Sequence, residues 1–223
     1  MPALTVIIPA LNAAITLPRV LASLHRGDGC IVVDGGSSDA TVACAERFGA
    51  TAFRAPRGRG QQLRAGAHCV QTEWMLFLHA DTALQEGWRA EVERFMCATT
   101  GTGRAAVFQF GLDDGSSAAR RLERWVKWRT QSLGLPYGDQ ALLINRTLYD
   151  QIGGYRPIPI MEDVDIVRRI GRRRLVLLTS RAVTSAQRWR REGWLRRSAR
   201  NLLCLSLYFI GVPPTTIARV YGQ

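Results

Sequence analysis

The chain has 223 residues, of which 47% are hydrophobic and 22% charged, with a formal net charge of +12. Such a length and balance fit one domain with a sizeable core, and no internal repeat or low-complexity tract is visible. The five cysteines, at 30, 44, 69, 97 and 204, lack Cys-x-x-Cys spacing and leave one unpaired in any disulfide scheme. Reduced, mostly buried thiols in a cytoplasmic protein are the simpler reading. The N-terminal apolar stretch is short, lacks a basic lead and meets Pro9, so no secretory signal is expected.

Leu4 to Ile8 predicts a strand stopped by Pro9, followed by a helical pattern of Leu17, Val20, Leu21 and Leu24. Ile31, Val32 and Val33 predict a second buried strand that ends on Asp34. Gly35-Gly36 break it, and Ser38 or Asp39 can cap a helix starting near Ala40. Two strand–turn–helix units in succession predict a parallel sheet with right-handed crossovers. Ligands of such sheets sit at the carboxyl ends of the strands, which makes Asp34 a binding candidate, with a ligand-free βα turn as the alternative. Gly58-Arg59-Gly60 is followed by Leu63 where a third glycine would stand, so the dinucleotide-binding fingerprint is not met.

Trp74 to Leu78 predicts a further strand, which leads into His79 and Asp81. Two residues apart, these side chains would lie on the same side of an extended chain. A carboxylate beside an imidazole can hold a divalent cation against a diphosphate, because Mg²⁺ takes one or two carboxylates and fills its shell with phosphate oxygens and water. A hydrogen-bonded surface pair is the alternative. Residues 99–118 surround a short strand, Ala105–Leu112, and connect to a helix over Ala118–Ser132. Its Trp125 and Trp128 are expected to pack on the sheet, stacking on a sugar or lipid being the other option. Asp139 and Gln140 precede the apolar run Ala141–Ile144, where an acid and an amide suit hydroxyl recognition or a structural turn. A helix over 146–152 is ended by Gly153-Gly154, and Glu162 and Asp163 open a helix carrying Val164, Ile166, Val167 and Ile170.

Arginines crowd the last third, among them Arg188, Arg190, Arg191, Arg196, Arg197 and Arg200. They are interleaved with Trp189 and Trp194 and lead into an apolar run over 201–212, too short to span a bilayer. This pattern favours an anionic membrane surface over nucleic acid, with a buried helix or dimer face as the alternative. If helical, Arg188 and Arg191 share a face and can meet a phosphate.

Seven segments then stand in a telling order: Val6-Ile7-Ile8-Pro9-Ala10-Leu11-Asn12, Val33-Asp34-Gly35-Gly36-Ser37-Ser38-Asp39-Ala40-Thr41, Gly58-Arg59-Gly60-Gln61-Gln62-Leu63-Arg64-Ala65-Gly66, Phe77-Leu78-His79-Ala80-Asp81, Gly138-Asp139-Gln140-Ala141, Gly153-Gly154-Tyr155 and Glu162-Asp163-Val164-Asp165. Together they resemble the inverting family 2 glycosyltransferases of the GT-A fold, in a small bacterial-type form. The resemblance implies an α/β fold with a Rossmann-like, mostly parallel sheet flanked by helices and a C-terminal helical segment. Residues 1–98 would form the nucleotide-sugar half, 99–180 the acceptor and catalytic half, and 181–223 the basic and apolar C-terminal segment.

By the same resemblance Pro9 and Asn12 line the base and ribose pocket, Asp34 binds the base, and Arg64 and Ala80 lie beside the nucleotide. Asp81 is the metal-binding member of an Asp-x-Asp signature whose first position is His79 here. Asp163 is the base, Glu162 binds or orients the acceptor, and Asp139 and Gln140 belong to the acceptor side, where Arg188 and Trp189 are added as candidates independently of the resemblance. The implied cofactor is Mg²⁺ or Mn²⁺, the donor a UDP- or GDP-sugar, and the acceptor a hydroxyl, a lipid-linked one included. The implied location is the cytoplasm or the inner face of the membrane. Gln187-Arg188-Trp189-Arg190-Arg191 is similar to the Gln-x-x-Arg-Trp element of processive members but two residues out of spacing, so its role is not carried over. Two rival functions are a nucleotidyltransferase, whose Gly-rich loop is missing after the first strand, and a non-catalytic nucleotide-sugar-binding or membrane-surface module.

Overall fold

The computed structural model describes residues 3–99 and 101–222. The two strand–turn–helix units are β1 (Leu4–Ala10) with α1 (Leu17–Ala22) and β2 (Gly29–Asp34) with α2 (Thr41–Arg47). They continue into β3 (Thr51–Arg54), α3 (Arg59–Cys69), β4 (Trp74–Phe77), β5 (Thr82–Leu84), α4 (Trp88–Thr99), β6 (Ala105–Leu112) and α5 (Ser117–Leu133). Then come β7 (Leu142–Asn145), α6 (Arg146–Gln151), α7 (Glu162–Ile170), β8 (Leu175–Thr184), α8 (Gln187–Glu192), α9 (Trp194–Phe209) and α10 (Pro214–Tyr221).

The strands form one sheet in the order β3-β2-β1-β4-β7-β6-β8-β5. β1 pairs in parallel with β2 and β4, β2 with β3, and β6 with β8, whereas β7 runs antiparallel to both neighbours and β5 antiparallel to β8. Strand alternation divides the core between the two faces. Val6 and Ile8 face Leu17, Val20, Val92, Met96 and Phe108, while Ile7 faces Val33, Leu63, Phe77, Leu148 and Ile166. Each such side chain contributes about 1.5–3 kcal/mol on burial. Gly66 lets α3 lie close on the sheet, since a Cβ there would come within 2.4 Å of Ile7 Cγ2.

Several local expectations are corrected. Pro9 lies inside β1 rather than ending it. Ile7 O accepts from Leu78 N on the β4 side and Ala10 O from Gly35 N on the β2 side, so by alternation the Pro9 nitrogen faces the β4 side, past the last β1–β4 pair at Ile7↔Phe77. No ladder bond is lost there. Trp125 and Trp128 do not pack on the sheet: they stack on each other at 4.9 Å and are both about half exposed, while Leu122 and Val126 provide the buried face of α5. The thiols are mixed, Cys44 and Cys204 being buried and Cys69 and Cys97 exposed.

The C-terminal run is neither wholly core nor wholly surface. Cys204 packs with Ile160, Ile217 and Ala218, joining α9 to α10 and to the segment before α7, while Leu195, Leu202, Leu203, Phe209 and Ile210 are exposed. Among the described residues no helix is long and apolar enough to cross a membrane.

Candidate active site

Antiparallel pairing brings two distant turns together. Phe77 at the end of β4 faces Leu142 at the start of β7, so the residues that follow one strand lie beside those that precede the other. After β4 the chain does not stay extended, as its sequence suggests; it turns, with Thr82 N donating to His79 O at 3.2 Å, and this turn holds His79 and Asp81 near one another. Before β7 a short 3₁₀ turn over Gly138–Gln140 presents Asp139, whose Oδ1 stands 2.6 Å from His79 Nδ1. His79, Asp81 and Asp139 each offer a ligand atom within 4.8 Å of the others. One imidazole and two carboxylates suit Mg²⁺ or Mn²⁺, so the donor set fits a divalent cation. Burial would raise the Asp139 carboxyl, but the His79 hydrogen bond and the charges of His79, Arg59 and Arg188 outweigh it and bring it down to about 2.

The start of α7 closes over the same point. Asp163 Oδ2 accepts from Gly138 N at 2.8 Å and Oδ1 from Val164 N at 2.8 Å, which fixes the carboxylate plane. Gly138 fills the gap between the two groups: a Cβ on it would lie 2.9 Å from His79 Cε1 and 3.0 Å from Asp163 Oδ2. Glu162, only 3% exposed, has Arg59 Nη1 3.3 Å from Oε1, yet that oxygen accepts no hydrogen bond. Burial pushes the Glu162 carboxyl up, against the opposing charge of Arg59. Arg59, on the first turn of α3, is held more firmly protonated chiefly by Glu162, with Asp163, Asp139 and Asp81 adding to the effect. Asp165 is turned away from this cluster, paired with Arg156 at 3.2 Å and Arg169 at 2.5 Å.

The loops after β1 and β2 are laced together at the sheet edge. Asn12, with φ at 49°, donates its N–H to Ser37 Oγ at 2.8 Å and accepts from Ser38 N on Oδ1 at 2.9 Å. Asp39 rather than Ser38 serves the start of α2, accepting from Thr41 N at 3.0 Å. Asp34 is fully buried and accepts from Gly36 N at 3.0 Å and from Ser37 N at 3.2 and 3.0 Å. Its carboxylate is thus engaged by its own turn. Pro9 is buried in β1, Asn12 and Arg64 are exposed, and Ala80 is half-buried in the turn after β4.

A sequence profile described as Glycosyl transferase family 2 matches residues 5–158, from β1 to just short of Glu162. The chain belongs to glycosyl transferase family 2. Over 86 residues it is 37% identical to an uncharacterized glycosyltransferase of Mycobacterium tuberculosis, a match covering 38% of this chain and 39% of that relative. It is 34% identical over 96 residues to a PGL/p-HBAD biosynthesis glycosyltransferase of the same species, covering 38% of each. The matched segment thus spans well under half the length of these relatives. Among solved structures, S. aureus TarS 1–349 aligns with 98% of this chain and 69% of its own at 12% identity and a TM-score of 0.65. Glucosyl-3-phosphoglycerate synthase from Mycobacterium tuberculosis, in complex with Mn²⁺, UDP and glucosyl-3-phosphoglycerate, aligns with 82% of this chain and 71% of its own at 21% identity and a TM-score of 0.56. The fold is that of the GT-A glycosyltransferases.

In this family 2 chain the structure gathers His79, Asp81, Asp139, Glu162 and Asp163, and separates two residues expected on the acceptor side. Gln140 is fully buried, its Oε1 accepting from Thr130 Oγ1 and Tyr137 N, both at 3.0 Å, and its Nε2 donating to Phe108 O at 2.8 Å. Fully buried and held by three partners inside the protein, it is not presented to a ligand. Trp189 is only 4% exposed, packed with Phe110 and Val126 and stacked on Trp194, because α8 turns its aromatic side inward. Arg188, next to it, is exposed, and its charge reaches Asp139. Sequence reasoning missed Arg59, although it lies inside a quoted motif, and Gln62, whose buried Nε2 ties Ala10 O to Val33 O at 2.8 and 2.7 Å. It also missed Arg129, buried 3.9 Å over the Tyr137 ring in the middle of an otherwise amphipathic helix.

Proposed function

We propose that this chain transfers a sugar from a nucleoside-diphosphate sugar to a hydroxyl acceptor, with a divalent cation at His79, Asp81 and Asp139 and inversion at the anomeric carbon. The observation that carries the reading is the seating of that three-donor cluster against Asp163 through Gly138. Family membership supports it, as do two structures of the same fold that hold UDP-glucose with Mn²⁺ and UDP-GlcNAc. A UDP-sugar is accordingly the donor to test first, a GDP-sugar second, and Mn²⁺ or Mg²⁺ the ion.

When bound, the cation neutralises the diphosphate that leaves. Asp163 accepts the proton of the acceptor hydroxyl as its oxygen bonds to the anomeric carbon; the bond from that carbon to the diphosphate oxygen breaks, and its electron pair leaves with the nucleoside diphosphate. The Gly138 and Val164 amides keep the Asp163 carboxylate aimed at that proton. Glu162, anchored by Arg59, orients the acceptor. Pro9, Asn12, Arg64 and Ala80 line the donor site, and the Asp34 turn supports it from beneath. In this reading 1–98 carries the donor, 99–180 the acceptor and catalytic groups, and 181–223 flanks the acceptor side with Arg188 at its edge. The exposed apolar stripe of α9 supports a cytoplasmic protein resting on the inner membrane face, where a lipid-linked acceptor would be presented.

The test is release of free nucleoside diphosphate from UDP-glucose, UDP-GlcNAc and GDP-mannose, with Mn²⁺, Mg²⁺ or a chelator. Metal-dependent release supports transfer. Binding of nucleotide sugar with no release under any of these conditions would favour the non-catalytic module, and pyrophosphate release from nucleoside triphosphates would favour nucleotidyl transfer.

A further inference from the structure

Beside the acid cluster lies a second, basic site. An open cavity of about 510 Å³ between α8, α9 and the end of α10 is lined by Arg188, Arg191, Glu192, Arg197, Arg200 and Tyr221 among others. Four guanidinium groups and one carboxylate line it. Glu192 is shared, with Arg197 Nη1 at 3.0 Å, Arg191 Nη2 at 3.9 Å and Arg200 Nη2 in close contact. The remaining donors are not all used: Arg197 is only 9% exposed, and its Nε, like that of Arg200, is buried without a hydrogen-bond partner. Three of the guanidinium groups share that one carboxylate, so donors outnumber acceptors around the cavity, and an anion with several acceptor oxygens supplies what is missing. The planes are already set by aromatic rings, Arg197 lying 5.1 Å from the Trp189 centroid and Arg200 4.8 Å from that of Tyr221. Arg188 lines the cavity, and its neighbour Trp189 packs in one cluster with Tyr137, which leads directly into the Gly138–Gln140 turn that presents Asp139, so the cavity flanks the acid cluster.

We infer that the cavity bordered by Arg188, Arg191, Arg197 and Arg200 binds a phosphate group carried by the acceptor. A single carboxylate cannot balance four guanidinium groups, and the multiple charge and spread of oxygens of a phosphate match their fixed forks. The assignment to the acceptor rests on the proposed sugar transfer; the binding of phosphate does not.

The experiment titrates the full chain with inorganic phosphate in chelator, alone and with the donor site saturated by UDP and Mn²⁺ instead of chelator. Saturable binding that survives UDP is expected. Arg191→Gln combined with Arg200→Gln should weaken it about tenfold or more while leaving UDP affinity unchanged, and Glu192→Gln, which removes the competing carboxylate, should tighten it. Should the double variant fail to fold, Arg191→Gln alone, at a well-exposed side chain, and Glu192→Gln decide. No saturable binding, or binding indifferent to these substitutions, overturns the inference; displacement of phosphate by UDP overturns it too, assigning the cavity to the donor diphosphate. Vesicles containing phosphatidic acid form a second arm: capture that the arginine substitutions abolish places the phosphate on a lipid, whereas binding of inorganic phosphate without capture places it on a soluble acceptor. Nucleoside diphosphate release, measured separately, tells the two proposals apart, since phosphate binding without release removes the transfer and keeps the cavity.

Discussion

His79 Nδ1 and Asp139 Oδ1 lie 2.6 Å apart across sixty positions of sequence. The cause is the one antiparallel strand set beside β4, which returns the chain to the end of that strand at Phe77↔Leu142. Position 79 lacks the acid that the Asp-x-Asp resemblance would place there, and the turn before β7 provides a second carboxylate from elsewhere in the chain. In the proposed cation site the second carboxylate thus comes from across the fold rather than from the neighbouring sequence.

If these groups hold the cation, Asp81→Ala and Asp139→Ala should each abolish the Mn²⁺-dependent part of UDP binding and leave the metal-free part near wild type. Calorimetric titration with and without chelator checks this. Unchanged metal dependence in a folded Asp139→Ala protein would return Asp139 to an acceptor or structural role.

Gly138→Ala is a sharper probe of geometry, because the added methyl would sit 2.9 Å from His79 Cε1 and 3.0 Å from Asp163 Oδ2. One or both groups must shift, and a displacement of about 1 Å can cost on the order of a hundredfold in rate. Turnover should fall by that order with the melting temperature nearly unchanged. Wild-type turnover would mean that the distance between the cation site and Asp163 does not matter.

The strands and the βα turns were legible because their signals are local: Ile31 to Val33 alternate with nothing polar, and Gly35-Gly36 break the run. Asp81 and Asp163 were legible as chemical groups at element ends. Asp139 was legible as an acceptor-side candidate, and only the β4–β7 pairing shows that its turn faces His79. Gln140 and Trp189 misled for a common reason: polarity or aromaticity suggests a ligand contact, and only tertiary packing shows that Gln140 bonds Phe108 O and that Trp189 stacks on Trp194. Arg129 and Gln62 left no periodic signal, because a buried polar residue that satisfies backbone atoms looks like a surface residue in sequence.

Asp163→Asn should lower turnover by about 10²–10⁴-fold with UDP-sugar affinity close to wild type, since a base acts in the transition state and little in donor binding. Glu162→Gln, which weakens the contact with Arg59, should raise the acceptor KM more than it lowers kcat. Single-turnover kinetics with separate donor titration resolve the two. A parallel loss of donor affinity and rate in Asp163→Asn would mark that acid as a structural cap of α7.

Asp34→Ala removes the buried acceptor of Gly36 N and Ser37 N. Orphaning such amides costs about 1–3 kcal/mol, which denaturant unfolding can read, and nucleotide affinity should fall only as far as the turn loosens. Asp34→Asn, retaining one acceptor oxygen, should recover part of the stability. Full stability together with lost nucleotide binding would show instead that Asp34 turns out to the base when the ligand arrives.

The last prediction concerns the apolar stripe of α9. Leu195, Leu202 and Ile210 are 87%, 58% and 75% exposed, while two arginines of the same helix, Arg197 and Arg200, are held on Glu192. If this stripe rests on a membrane, its attachment has a hydrophobic part that salt does not screen and a basic part, from groups such as the exposed Arg196, that it does. Sedimentation with anionic vesicles should therefore fall as salt rises without reaching zero. Leu202→Ser with Ile210→Ser should remove the residual at high salt and spare UDP affinity. Absence of vesicle binding at low salt, combined with a mass that doubles with concentration in the wild type and not in the double variant, would instead show two copies of the chain covering the stripe.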